Sequence, residues 1–433
     1  MMVSRCGLRV LLAAAFVACS GPLFAQPVQD GTPAQAIRSE IDKLKQDFDA
    51  RLSALESRLA ALEGRPPSTV EPGAAAAQAG ASVVTPPPSG DGSAAVPNYN
   101  SATAGSKVFN PDMAVISNLL GVAGKNGVNP LPALALPESE LSLQAIVDPY
   151  ARADFFLSFG EAGVAVEEGY LTFPTLPGGL LMKVGRQYAA FGKANTLHSH
   201  ILPWADRPLV SANLVGGDEP MADAGISVAR LIPNPWLFLE ATGQVFRGDG
   251  GVFHSSQRSD LSYIGHLRGY QDLSESTNID LGASYAYGHN SAGVVNDVDF
   301  GRFTTSLFGV DATVRWRPLQ RAIYHSFIGR SEAIWSRRNQ ALNGQQNASG
   351  FYVSGDYQFG RRWFTGVRFD RSARPEDSTA RDSGQSFVVT YWPSEFSQVR
   401  GQLRRTKYAE GETANEFLFQ FQFAIGAHGA HAF

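Results

Sequence analysis

The stretch Phe417-Leu418-Phe419-Gln420-Phe421-Gln422-Phe423-Ala424-Ile425 decides how this chain is read. Aromatic and branched apolar residues hold every odd position; Leu418, Gln420, Gln422 and Ala424 hold the even ones. Side chains of a strand alternate between faces, so one face is hydrocarbon and the other small or polar. In water the aromatic face needs a core. In a bilayer it meets lipid, and the polar face turns to a lumen.

The same alternation recurs upstream. Ala151, Ala153, Phe155, Leu157 and Phe159 share a face opposite Arg152, Asp154, Phe156 and Ser158. Tyr352, Ser354, Asp356 and Gln358 oppose aromatic and small neighbours, and Arg368 and Asp370 fall on the polar side of the next segment. From Ser397 to Tyr408 the polar side carries Gln398, Arg400, Gln402, Arg404 and Thr406. Charges on these faces are costly in lipid and ordinary in a wet lumen. Phe156 and Arg405 break the pattern. Adjacent Glu167 and Glu168 are expected to send one carboxylate to each face.

Two kinds of connection alternate along the chain. The tight ones are Asp148-Pro149, Pro177-Gly178-Gly179, Pro233-Asn234-Pro235, Asp272 to Glu275, Pro318-Leu319-Gln320, Gly360-Arg361 and Pro393-Ser394-Glu395. The others are longer and more polar. Short turns at one end and long loops at the other are the asymmetry of a membrane barrel. Adding a strand near Asp112 to Val122 and the terminal strand gives about sixteen. The expected fold is therefore all-β, a transmembrane antiparallel β-barrel over residues 108–433, with both ends on the periplasmic side.

What precedes the barrel reads differently. Residues 1–25 form a secretory signal: Arg5 and Arg9, then the short apolar run Val10 to Val17, then Leu23-Phe24-Ala25 before the cut. Val17-Ala18-Cys19 offers a competing lipidation site. Cys6 and Cys19 are the two cysteines of the sequence, so cleavage after Ala25 leaves no thiol for disulfides or metal. In residues 36–64 the positions Ile37, Ile41, Leu44, Phe48, Leu52, Leu55, Leu59 and Leu62 alternate fours and threes, the period of a coiled coil. The doubled four at Phe48 is a stutter. The stripe predicts a periplasmic, three-stranded self-association; packing on another periplasmic protein or on the barrel floor would also bury it. Residues 65–107, rich in Ala, Pro, Gly and Ser, form a disordered tether. The net charge of -4 gives no reason to expect a nucleic-acid partner.

The longest outer connection, about Phe191 to Ala222, is the third, and it is expected to fold into the barrel. Lys193, His198, His200, Asp206, Arg207, Asp218 and Glu219 are its candidates for lining a constriction, where opposed charges filter solutes. Arg152, Asp154, Asp356, Arg368, Asp370, Arg400 and Arg404 are candidates for the lumen wall. His198 and His200 lie two apart and could share a metal, with Asp206 or a loop carboxylate completing the site. His428 and His431 are weaker candidates. The sequence carries no nucleophile elbow, phosphate loop or metalloprotease helix, so neither catalysis nor a cofactor is expected.

Several stretches from Phe109 to Asp249 carry a resemblance: Phe109 to Ile116, Val147 to Asp154, Val166 to Leu171, Lys183-Val184-Gly185-Arg186, Phe191-Gly192, His198-Ser199-His200, Asp206 to Leu209 and Phe246 to Asp249. They resemble a group of porin-like bacterial outer-membrane proteins. More distantly, Val184 to Arg186 with Phe191-Gly192 is similar to phosphate-selective porins, which are trimeric barrels with an arginine-lined pore. The resemblance implies a homotrimer in outer-membrane lipid and passive diffusion of small hydrophilic solutes or ions. Arg400 and Arg404 allow an anion preference; Asp154, Asp356 and Asp370 argue against a purely basic lumen. The alternatives are a structural tether reaching the cell wall through the coiled coil, a channel linked to metal uptake, and a soluble periplasmic all-β protein.

Overall fold

A computed structural model describes residues 111–426 except 162, 296 and 297, together with Lys43, Gln46, Ala50 and Ser53. Those four N-terminal residues are helical and exposed, and none belongs to the apolar stripe. The signal segment, the coiled-coil seam, the tether and the histidines His428 and His431 lie outside the described residues.

The strands are β1 (Asp112–Lys125), β2 (Leu134–Asp148), β3 (Ala151–Gly160), β4 (Gly163–Leu176), β5 (Leu180–Tyr188), β6 (Ala222–Leu231), β7 (Phe238–Phe246), β8 (Ser262–Ser274), β9 (Thr277–Asn290), β12 (Phe303–Trp316), β13 (Ser326–Arg338), β14 (Gln346–Gly360), β15 (Trp363–Ala373), β16 (Arg381–Ser394), β17 (Ser397–Lys407) and β18 (Thr413–Gly426). These sixteen form one closed antiparallel barrel; β10 (Val294–Val295) and β11 (Val298–Asp299) make a small separate hairpin. The terminal strand closes the ring on the first, with Val115 opposite Ile425 and Leu119 opposite Phe421. Closure leaves no edge of the sixteen barrel strands unpaired, which is what a β-structure in hydrocarbon requires. No helix among the described residues is long and apolar enough to cross a membrane.

The alternation holds. Phe417 and Phe419 are 43% and 40% exposed on the outer face, whereas Gln420 and Gln422 are 2% and 1% exposed on the inner one. All seven short connections fall at one end. The one at Pro318 is longer than expected, spanning residues 317–325, and Arg321 within it takes a positive φ of 70°. At the other end, residues 161–162 join β3 to β4 with a two-residue connection where a longer loop was expected.

The expectation for Glu167 and Glu168 is overturned. Glu168 pairs with Phe156 and Val166 with Leu157, which leaves Glu167 as the extra residue of a β-bulge. A bulge places two residues of one strand against one of its partner and re-aims their side chains. Both carboxylates consequently reach His198 on the inner side. Phe156 also faces inward and packs on the His198 ring at 4.9 Å. Arg405 is exposed on the outer face with Leu403.

Candidate functional site

Residues 189–221, between β5 and β6, are the third outer connection, and they run into the barrel. Asn195 clasps the neck of this loop: its Nδ2 donates to the carbonyls of Ala189 (2.9 Å) and Met221 (3.2 Å), and its Oδ1 accepts from the Met221 amide at 2.7 Å. The loop then touches the wall on several sides. The Gly192 amide donates to Ser284 Oγ on β9 at 2.9 Å, and the Ala194 amide to Glu332 on β13 at 3.1 Å. Gly192 has φ +63°, a backbone conformation that favours glycine, and it lies directly against the Glu332 carboxylate. Farther along, the Leu209 amide donates to Asp370 on β15, and Asn213 Nδ2 to Asp382 on β16 at 3.0 Å. Apolar residues seal the contact: Phe191, Trp204, Val210 and Leu214 pack with Leu307, Ile334, Tyr352 and Val388 of the wall. Trp204 meets Tyr352 edge-on at 5.4 Å.

Two neighbouring loop charges do different work. Asp206 accepts from Arg368 at 2.9 Å, Arg404 at 3.1 Å and Gln402 at 2.6 Å, joining the loop to β15 and β17. Burial opposes its ionisation, but Arg368 and Arg404 hold its pKa down to about 2. Arg207 was expected to be a charge at the constriction. Instead it is buried and donates to three loop carbonyls, those of Ala194 (2.9 Å), Leu197 (2.9 Å) and Asp218 (3.0 Å). An arginine carries its donors in a fixed fork, and here the fork braces the loop from within.

The other candidates divide. Lys193 lies 3.8 Å from Asp280 on β9. Asp218 and Glu219 are exposed. The wall candidates all face inward, and each of their charges is engaged. Arg152 pairs with Asp154 at 2.6 Å, Asp356 with Arg330 at 2.6 Å, Arg368 with Asp370 at 2.7 Å and Arg404 with Glu416 at 2.7 Å. Arg400 donates to the Trp204 carbonyl at 3.0 Å and to Gln420 at 2.7 Å. Arg400 and Arg404 thus hold the loop, where the sequence had suggested groups that attract anions.

His198 and His200 are both buried against β2 and β4. Tyr188 and Phe156 pack on the His198 ring at 4.7 and 4.9 Å. Burial opposes its charged form, yet the carboxylates of Glu140, Glu167 and Glu168 outweigh burial and raise its pKa well above the ordinary histidine value. The carboxylates near the pair come from the wall; Asp206, expected to complete the site, is committed to Arg368 and Arg404. Glu138 and Glu140 were missed, although their spacing of two puts them on one face of β2. Glu332 was also missed. It stands alone between Ser331 and Ala333, and no local pattern marks an acid that receives a loop amide from far along the chain.

No family model matches the chain. An uncharacterized protein of Aquifex aeolicus (strain VF5) is 31% identical over 334 residues, covering 68% of this chain and 69% of that one, and the chain belongs to that protein's family. Among solved structures, the high-pH form of Pseudomonas putida OprB has a TM-score of 0.51 at 11% identity, covering 73% of this chain and 94% of that chain. The anion-selective porin from Comamonas acidovorans gives 0.51 at 11%, covering 73% and 99%. The outer-membrane channel DcaP of Acinetobacter baumannii gives 0.50 at 10%, covering 73% and 96%. The chain therefore has the fold of bacterial porins and is distantly similar to them. At such low identity the likeness carries the fold and leaves the solute open.

Proposed function

We propose that this chain, sharing its family with the Aquifex aeolicus protein and its fold with porins, forms an outer-membrane channel for passive diffusion of small hydrophilic solutes or ions. The observation that carries this reading is the course of residues 189–221: an outer loop folded into a barrel whose exterior suits lipid. Such a loop narrows the bore and sets what passes. Below it, the wall presents Arg152, Lys183, Arg268, Arg315 and Arg330 beside Asp154, Glu240, Asp280, Asp311 and Asp356. Near balance of the two signs supports weak charge selectivity. The coiled coil of residues 36–64 would hang in the periplasm and hold three barrels together.

The apolar packing of Phe191, Trp204 and Leu214 against the wall favours a second reading: a barrel closed at rest that serves as an outer-membrane tether through its coiled coil. Conductance separates the two. Purified protein in a planar bilayer should give stepwise current increments, and deleting residues 195–213 should enlarge them. A tether with a closed lumen would be silent until the loop was removed.

A further inference from the structure

The loop carries histidines to a wall already crowded with acid. Glu138 and Glu140 stand on β2, Glu167 and Glu168 on the bulge of β4, and His198 and His200 on the loop. One donor atom from each of Glu140, His198 and His200 lies within 4.8 Å of the others, and the same holds for Glu138, Glu140 and Glu167. Glu140 Oε2 is 2.8 Å from His198 Nδ1 and 3.5 Å from His200 Nδ1. A tetrahedron with bonds of about 2.1 Å has edges of about 3.4 Å, so these donors are already near the spacing a small ion needs. Glu140 is almost wholly buried, and its Oε2 makes no well-aligned hydrogen bond even though His198 Nδ1 is 2.8 Å away; Glu138 Oε1 has no hydrogen-bond partner. Buried carboxylate oxygens without donors are expensive unless a cation satisfies them.

We propose that Glu140, His198 and His200, with a carboxylate of the Glu138–Glu167 pair as fourth donor, bind a zinc-type divalent transition-metal ion that latches the loop to the barrel wall. The donor chemistry selects the ion: imidazole nitrogens with carboxylate oxygens suit zinc and its neighbours, whereas calcium and magnesium prefer oxygen alone. Glu168 completes the arrangement from behind. It takes His198 Nε2 at 3.1 Å, which orients the ring so that Nδ1 faces the cluster, the usual carboxylate–histidine support of a metal ligand. The donors are buried and come from both loop and wall, so the ion is structural and is not in transit. Its effect on the current rests on the porin reading; its binding does not.

The test uses the full chain without a polyhistidine tag, purified in detergent, stripped with a chelator and titrated with Zn²⁺ alone. One zinc per chain should bind and raise the thermal unfolding midpoint. Glu140→Gln and His200→Gln should each weaken binding by about tenfold or more, as should Glu168→Gln through its orienting role. Glu395→Gln, in an exposed periplasmic turn, should leave it unchanged. Cobalt in place of zinc should show the intense visible absorption of a tetrahedral site in wild type and lose it in His200→Gln, with heat-resistant β-structure confirming that the variant is folded. Absence of stoichiometric zinc, or zinc whose binding ignores Glu140 and His200, overturns the proposal. Zinc binding in a protein that carries no current would leave the latch standing and reject the porin reading instead.

Discussion

Asp206 and Arg207 are chain neighbours, yet one ties the loop to the wall and the other ties the loop to itself. Asp206→Asn leaves Arg368 and Arg404 with one buried anion fewer, since Asp370 and Glu416 remain their partners. The depressed pKa of about 2, against an ordinary ~3.9, is worth on the order of 2 kcal/mol at neutral pH. Because the folded value is the lower one, this contribution is complete above about pH 4 and fades as pH falls towards 2. The unfolding midpoint of Asp206→Asn should therefore lie below wild type at pH 7, and the gap should close in acid. Arg207→Lys should also destabilise, by roughly 2 kcal/mol, because one ammonium cannot reach three carbonyls at once. Removing the charge in Arg207→Gln should leave ion selectivity as in wild type, since the charge is spent inside the loop; a marked shift toward cations would place Arg207 in the pore after all. Of these roles the sequence disclosed only residue type. That Arg207 is polar and in a loop was plain, but its three acceptors are backbone carbonyls, which no side-chain pattern announces.

At the scale of elements, what was legible followed from period. Side chains alternate every two residues, so strands with one face in lipid declare themselves, and proline- and glycine-rich turns mark their ends. The bulge at Glu167 was illegible, because one extra residue in a strand has no compositional mark and is defined only by its partner strand. The loop was recognised by length and charge. Its attachments were not, because Ser284, Glu332, Asp370 and Asp382 lie roughly 90 to 170 residues away in sequence. The coiled coil is the other element with a clear period, and it lies outside the described residues apart from four positions. A peptide of Ile37 to Leu62 should be helical and self-associating in ultracentrifugation, and Leu55→Asp should weaken the association by placing a charge in the seam. A peptide that stays monomeric at high concentration would point to a foreign partner.

At the scale of the whole molecule, the barrel is a closed wall with its own third loop folded inside it. Closure pairs every edge of the sixteen barrel strands and fixes the bore, and the loop fills part of that bore, held to the wall by apolar packing and by ion pairs. Fold class, strand number and the inward loop could all be read from the chain. The balance of charge in the bore could not, because some lumen cations pair along their own strand, as Arg152 does with Asp154 and Arg368 with Asp370, and others cross to a neighbouring strand, as Arg330 does to Asp356 and Arg404 to Glu416. The most direct test is single-channel recording in planar bilayers with the full chain and with residues 195–213 deleted, both checked for the heat-resistant β-structure of a folded barrel. The account predicts discrete conductance steps from the full chain with weak charge selectivity, and larger steps from the deletion. Equal conductance in the two proteins, or silence in both, would contradict it.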